Sequence, residues 1–123
     1  MNNQNIKVSK EIIEQITVDK LEGIISENYY KIIDVRNPKG IETQGSISGA
    51  INIPFETIES AIDKNHKNYN SIFNGDGPFL FSCTGGVMSY MAAIKLQEKG
   101  FKNISNLEGG HSAWLKLKEL QTV

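Results

Sequence analysis

The chain has 123 residues, of which 39% are hydrophobic, and a formal net charge of −1 at pH 7. This length fits one domain with a single core, so we expect residues 1–123 to form one domain in which residues 1–10 are poorly ordered. The small net charge gives no electrostatic reason to expect a nucleic-acid or membrane partner. No apolar run approaches the roughly 20 residues that a membrane span needs.

Cysteine and arginine each occur only once in the chain, and this limits the chemistry that the chain can perform. Cys83 is the only cysteine and Arg36 is the only arginine among 13 basic residues. One cysteine excludes an internal disulfide and a multi-cysteine metal site, so no metal is expected. The amino terminus lacks the charged start and apolar centre of a secretory signal. Together these features favour a reducing, cytoplasmic setting, in which a thiol nucleophile persists.

The first half of the chain predicts alternating strands and helices. We expect a strand at residues 12–16, a helix at 18–25, a strand at 30–35, and a short helix opening at Asn37-Pro38. A glycine-containing loop then leads to a short strand near 50–54 and a modest helix near 55–64. A polar segment, residues 66–76, is expected to be an exposed connection.

The second half repeats the same alternation. An apolar strand ends at Cys83, and the following helix extends to about residue 99, with Met88, Met91, Ala92 and Leu96 predicted to face the core. A strand at 102–107 precedes a last helix that begins after a pair of glycines at 109–110. Strands alternating with helices predict an α/β fold with a largely parallel sheet.

Chemistry-bearing residues follow three of the predicted strands. Cys83 comes after one, Asp34 and Arg36 end another, and residues 108–111, including His111, follow a third. Ligands of such sheets bind at the carboxyl ends of the strands, so we expect these residues to converge on one edge. The glycine-rich turn after Cys83 can surround its side chain with backbone N–H groups, which favour an anion.

Each candidate also has a plainer interpretation. Cys83 can be a small buried hydrophobic residue. Asp34 and Arg36 are expected to form a structural ion pair, although Arg36 facing the pocket as an anion-binding group stays open. His111 is expected to be a surface residue more readily than a proton carrier beside the thiol. Among the nearby hydroxyls, that of Ser89 is the best placed to donate a hydrogen bond to sulfur.

Three segments together resemble the rhodanese (sulfurtransferase) family in its single-domain form. They are Asp34-Val35-Arg36, the segment GSISGAINIP at 45–54, and the segment GGHSAW at 109–114. The resemblance implies a five-stranded, mainly parallel sheet with helices on both faces, and no metal or organic cofactor. It also implies that Cys83 is the nucleophile that carries a sulfane sulfur as a persulfide.

The resemblance further implies which residues bind the sulfur and what they exchange it with. Asp34 and Arg36 would support the site, and the persulfide would lie among the backbone N–H groups of Thr84, Gly85, Gly86, Val87, Met88 and Ser89. The partners would be a small sulfur donor such as thiosulfate, a thiophilic acceptor such as cyanide or a thiol, and a sulfur-relay protein.

The chain departs from this family pattern in its loop. The common loop is C-x-x-G-x-R, and Met88 stands here at the arginine position. We therefore expect thiosulfate to be a poor donor. A cysteine phosphatase needs C-x5-R, and Ser89 occupies that arginine position, so this alternative is not favoured. A catalytically silent binding module is the other alternative; it would be expected to lose the cysteine that this chain retains.

Overall fold

The computed structural model describes residues 12–121, in which five strands alternate with helices. The expectation for residues 1–10 lies outside this range. The strands are β1 (Glu14–Ile16), β2 (Lys31–Asp34), β3 (Ile51–Asn52), β4 (Phe79–Ser82) and β5 (Ile104–Leu107). The α-helices are α1 (Leu21–Glu27), α2 (Pro38–Gln44), α3 (Ile58–Ala61), α4 (Val87–Glu98) and α5 (Gly110–Gln121). Short 3-10 turns occupy Val18–Lys20, Phe55–Thr57 and Ser71–Phe73.

The five strands form one sheet in the order β1-β5-β4-β2-β3, and every pairing is parallel. The predicted five-stranded α/β fold is therefore confirmed. Because all strands run the same way, their carboxyl ends share one edge of the sheet. Strand β4 lies at the centre, hydrogen-bonded to β2 and β5, and this position places the residue after Ser82 in the middle of that edge.

Side chains that alternate along β4 divide the core between the two faces of the sheet. Phe79 and Phe81 pack on one face, in a cluster that includes Leu96 of α4. Leu80 packs on the other face, in a cluster that includes Trp114 of α5. Successive side chains of a pleated strand point to opposite faces of the sheet. Because β4 is buried along its whole length, helices must cover both faces.

Two sequence-based predictions about helices need correction. The helix expected near residues 55–64 is a 3-10 turn followed by α3, which ends at Ala61. In α4, Ala92 and Leu96 are buried as predicted, but Met88 and Met91 are 45% and 50% exposed. The buried stripe of α4 is Ser89, Ala92, Ala93 and Leu96, at the i, i+3, i+4, i+7 spacing, and this rotation of the helix turns both methionines outward.

No helix among residues 12–121 has the length and apolar character that crossing a membrane requires.

Candidate functional site

The loop between β4 and α4 consists of residues 83–86. Gly86, the last of them, has a φ of 96°, which is a conformation that L side chains rarely adopt. A Cβ atom on Gly86 would also lie 3.0 Å from the Gly109 nitrogen and 3.3 Å from the Leu107 carbonyl oxygen. Glycine at this position therefore permits both the turn and the close approach of the chain that leads into α5.

Two backbone N–H groups donate to the sulfur of Cys83. The Gly86 nitrogen lies 3.1 Å from Sγ and the Ser89 nitrogen lies 3.2 Å from it. Cys83 is only 4% exposed and also contacts the core, as the plainer interpretation expects. The two donors favour a negatively charged sulfur species at this position, which a purely apolar role would not need.

The first turn of α5 donates hydrogen bonds to two carbonyl groups of the loop that follows β4. The His111 nitrogen donates to the Cys83 carbonyl at 2.8 Å, and the Ser112 nitrogen donates to the Thr84 carbonyl at 2.9 Å. In a planar trans peptide the N–H points opposite to the C=O. The N–H groups of Thr84 and Gly85 therefore point away from α5.

Asn106, in the middle of β5, holds the end of the loop. Its Nδ2 donates to the Gly86 carbonyl at 2.9 Å and to Oε1 of Gln15 at 3.1 Å. Its Oδ1 accepts from the Ser89 hydroxyl at 2.6 Å. The Ser89 hydroxyl, which the sequence suggested as a donor to sulfur, is thus directed to Asn106, and the backbone N–H of Ser89 contacts the sulfur instead.

Arg36 and Asp34 form the buried ion pair that the sequence predicts. Nη2 of Arg36 lies 2.6 Å from Oδ2 of Asp34, and Nε donates to both carboxylate oxygens at 3.0 and 3.1 Å. Nη2 also donates to the Gly45 carbonyl at 2.8 Å. These contacts neutralise the guanidinium and link the carboxyl end of β2 to the loop that follows α2.

His111 is 3% exposed, so the expectation of a surface residue was wrong. It is buried because the first turn of α5 packs directly on the Cys83 loop. Nη1 of Arg36 lies 3.4 Å from Nδ1 of His111. Burial, and then the charge of Arg36, lower the pKa of His111 below its usual 6.5, while Asp34 opposes them weakly. A neutral ring that accepts from Arg36 at Nδ1 fits this environment.

A pocket of about 370 Å³ opens above the sulfur. It is lined by Arg36, Asn37, Gly40, Cys83, Thr84, Gly85, Val87 and Met88. The structure thus brings most of the predicted site residues to one pocket. Gly86 and Ser89 do not line the pocket, but their backbone N–H groups contact the sulfur. Asp34 does not line it either and is paired with Arg36.

Sequence reasoning missed the pocket residues Asn37 and Gly40 and the supporting residue Asn106. Asn37 follows Arg36 directly at the carboxyl end of β2, and this position was a usable signal. Asn106 offered a weaker one, namely an amide in the middle of a predicted strand. A larger cavity, of about 980 Å³, is lined by residues near Pro78, Asn103 and Ile104, away from Cys83, and has no cysteine or histidine in its lining. Within residues 12–121, no three His, Cys, Asp or Glu side chains are grouped as ligands for a metal ion.

Comparison with known proteins identifies the family. The model of the rhodanese-like domain matches residues 17–117, and the chain therefore belongs to the rhodanese-like domain family. It is 29% identical over 101 residues to the thiosulfate sulfurtransferase GlpE of Shewanella oneidensis, a match that spans 82% of this chain and 91% of GlpE. The resemblance seen in the sequence is confirmed.

Solved structures agree with this fold. A rhodanese-like domain protein from Staphylococcus aureus superposes with a TM-score of 0.68 at 33% identity, covering 83% of this chain and 91% of that one. RPA3614 of Rhodopseudomonas palustris, for which a tyrosine phosphatase function has been suggested, superposes with a TM-score of 0.83 at 30% identity, covering 94% and 86%.

Proposed function

We propose that this protein is a sulfurtransferase that carries a sulfane sulfur as a persulfide on Cys83. The observation that carries the proposal is the pair of N–H donors, from Gly86 and Ser89, on Sγ at 3.1 and 3.2 Å. The sulfurtransferase name of the GlpE relative supports the same class of reaction. The lone cysteine also makes a reducing compartment such as the cytoplasm the appropriate setting.

The transfer has two halves. In the first, the Cys83 thiolate attacks the outer sulfur of the donor, the donor's S–S bond breaks, and the remainder of the donor leaves with the electron pair. In the second, a cyanide or thiolate acceptor attacks the terminal sulfur of the persulfide and releases the Cys83 thiolate. The N–H groups around the sulfur stabilise the negative charge in both halves, so the chemistry uses no metal or organic cofactor. A sulfur-relay protein is a fitting acceptor, because a persulfide passes directly between thiols.

Thiosulfate is proposed to be a weak donor. Its second half is a charged sulfonate, and Met88 offers that group a thioether where the family loop commonly has a guanidinium. Arg36 lines the pocket, but its charge is already paired with Asp34, so we do not expect it to replace that guanidinium. A lost charge-assisted contact costs about 1.5–3 kcal/mol, which corresponds to about 10- to 100-fold in affinity.

A phosphatase function finds no support in this site, whatever the function of RPA3614. Phosphoryl transfer from a cysteine depends on an arginine that stabilises the phosphate charge. Arg36 is the only arginine of the chain, and its guanidinium is bound to Asp34 and to the Gly45 carbonyl.

Cyanide as acceptor tests the proposal. We expect the wild-type protein to form thiocyanate from a sulfane donor, and Cys83→Ser to show no rate above the uncatalysed reaction because its hydroxyl cannot carry the sulfur. The donors are thiosulfate and a low-molecular-weight persulfide, each with a protein-free blank. A folded wild-type protein that shows no catalysis with either donor would favour the silent binding module instead.

A further inference from the structure

We propose that the preferred donor is an organic persulfide, R–S–S⁻, whose group R is uncharged and apolar. This inference rests on the proposed function, since it concerns which part of the donor occupies the mouth of the Cys83 pocket, where Val87 and Met88 are exposed. When the outer sulfur of a donor reaches Sγ, the leaving half of the donor lies toward that mouth. For thiosulfate the leaving half is a sulfonate, and for an organic persulfide it is R–S.

Val87 and Met88 form an exposed apolar side of the pocket, and the exposed polar side chains of its lining, Asn37 and Thr84, are uncharged. Val87 is 71% exposed and Met88 is 45% exposed, and both line the pocket. Arg36 is the one cationic residue of the lining, and Asp34 neutralises it at 2.6 Å. A charged leaving half would lose hydration there without gaining a counter-charge, whereas an apolar R group would be removed from water.

The transfer from such a donor is balanced without an added oxidant. Overall, R–S–S⁻ and the Cys83 thiol give the Cys83 persulfide anion, Cys–S–S⁻, and R–SH. One S–S bond forms as the other breaks, the leaving thiolate takes the bonding electron pair, and the proton lost by Cys83 ends on that leaving thiol. The charged end of the product lies at the N–H groups of the loop, which bind it.

This inference is tested by comparing the rates of persulfide formation from two donors, in the wild-type protein and in a variant of Met88. The rates are followed by the intact mass of the protein in quenched samples. The probes are benzyl persulfide and thiosulfate. We expect the wild-type protein to prefer benzyl persulfide by at least about tenfold, and Met88→Arg to raise the thiosulfate rate by about 10- to 100-fold. The matched control is Met91→Arg, which adds the same charge on α4 at a half-exposed residue outside the pocket lining, and should change the donor ratio by less than about threefold.

Equal or better use of thiosulfate by the wild-type protein would overturn the inference, as would an unchanged donor ratio in Met88→Arg. Sulfur loading from thiosulfate alone would overturn it while leaving the proposed function intact. Absence of loading from both donors would overturn the proposed function itself.

A separate set of contacts holds the two residues whose N–H groups donate to the sulfur of Cys83. We infer that Asn106 is a positioning residue for Cys83. The two residues whose N–H groups donate to Sγ, Gly86 and Ser89, are the same two that Asn106 binds, one through its carbonyl and the other through its hydroxyl. Asn106 is itself buried, and a third contact from Gln15 fixes its amide.

Alkylation of Cys83 by iodoacetamide tests this role, because the chain has no other cysteine. We expect Asn106→Ala to slow alkylation at neutral pH by about tenfold and to move its pH profile upward, since the two donors that favour the thiolate are no longer held. The matched control is Ser105→Ala, which removes a buried hydroxyl that contacts Glu14 from the neighbouring position on β5 and should leave the profile unchanged.

A folded Asn106→Ala protein with the wild-type profile would overturn the role. If Asn106→Ala does not fold, Ser89→Ala decides, because it removes the hydroxyl contact with Asn106 and keeps the backbone donor on Sγ. An upward shift of the profile in Ser89→Ala would support the role, and a wild-type profile would overturn it.

Discussion

Asp34→Asn is expected to lower the free energy of unfolding by about 3–5 kcal/mol, because it leaves the guanidinium of Arg36 buried without its counter-charge. The loss is a large part of the roughly 5–15 kcal/mol that stabilises a domain of this kind. Chemical denaturation of the two proteins measures the difference. The substitution keeps the size of the side chain and replaces one acceptor oxygen with an N–H donor, so a large effect would report the lost ion pair and its hydrogen bonds rather than a cavity.

The chain offers a matched control for the buried pair. Lys95 and Glu59 form an ion pair at 3.2 Å on the surface. Glu59→Gln removes a charge in the same way but should cost no more than about 1 kcal/mol, since water screens an exposed pair. Similar costs for Asp34→Asn and Glu59→Gln would contradict the structural role assigned to the Asp34–Arg36 pair.

Gly110→Ala is expected to lower the free energy of unfolding by about 2–5 kcal/mol and to slow persulfide formation by about 100-fold. A Cβ atom on Gly110 would lie 2.5 Å from the Cys83 carbonyl oxygen and 2.7 Å from the Thr84 carbonyl oxygen. Both atoms belong to the backbone, so the loop and the start of α5 must separate. The sulfur and its N–H donors would then lose their relative positions.

Gly100→Ala separates this clash from backbone strain. Gly110 has a positive φ of 64° and Gly100 has one of 93°, but a Cβ atom on Gly100 would meet nothing within 4 Å. We expect Gly100→Ala to cost only the strain, about 1–2 kcal/mol, and to leave persulfide formation unchanged. Equal effects of the two substitutions on persulfide formation would show that contact between α5 and the loop does not position the sulfur.

The fold and the position of Cys83 at the carboxyl end of β4 could be predicted because their signals are local. An apolar segment that stops at Cys83 and continues into glycines predicts a strand, a loop and a helix from neighbouring residues alone. Asp34 and Arg36 could also be assigned, because a charged pair at the end of a buried strand needs a partner.

The supporting contacts could not be predicted, because they join distant parts of the chain. Asn106 contacts Gly86 across 20 positions and Gln15 across 91 positions, and an amide within a strand does not reveal its partners. The burial of His111 depends on how closely α5 approaches the loop, and the exposure of Met88 depends on how α4 is rotated on the sheet. Tertiary packing decides both.

The intact mass of the protein tests the central claim most directly. Treatment with a sulfane donor is predicted to add about 32 Da, the mass of one sulfur atom, to Cys83 and nothing to Cys83→Ser, and cyanide should then remove the added mass. An unchanged mass after treatment with both thiosulfate and an organic persulfide, in a protein shown to be folded, would contradict the claim that Cys83 carries sulfur.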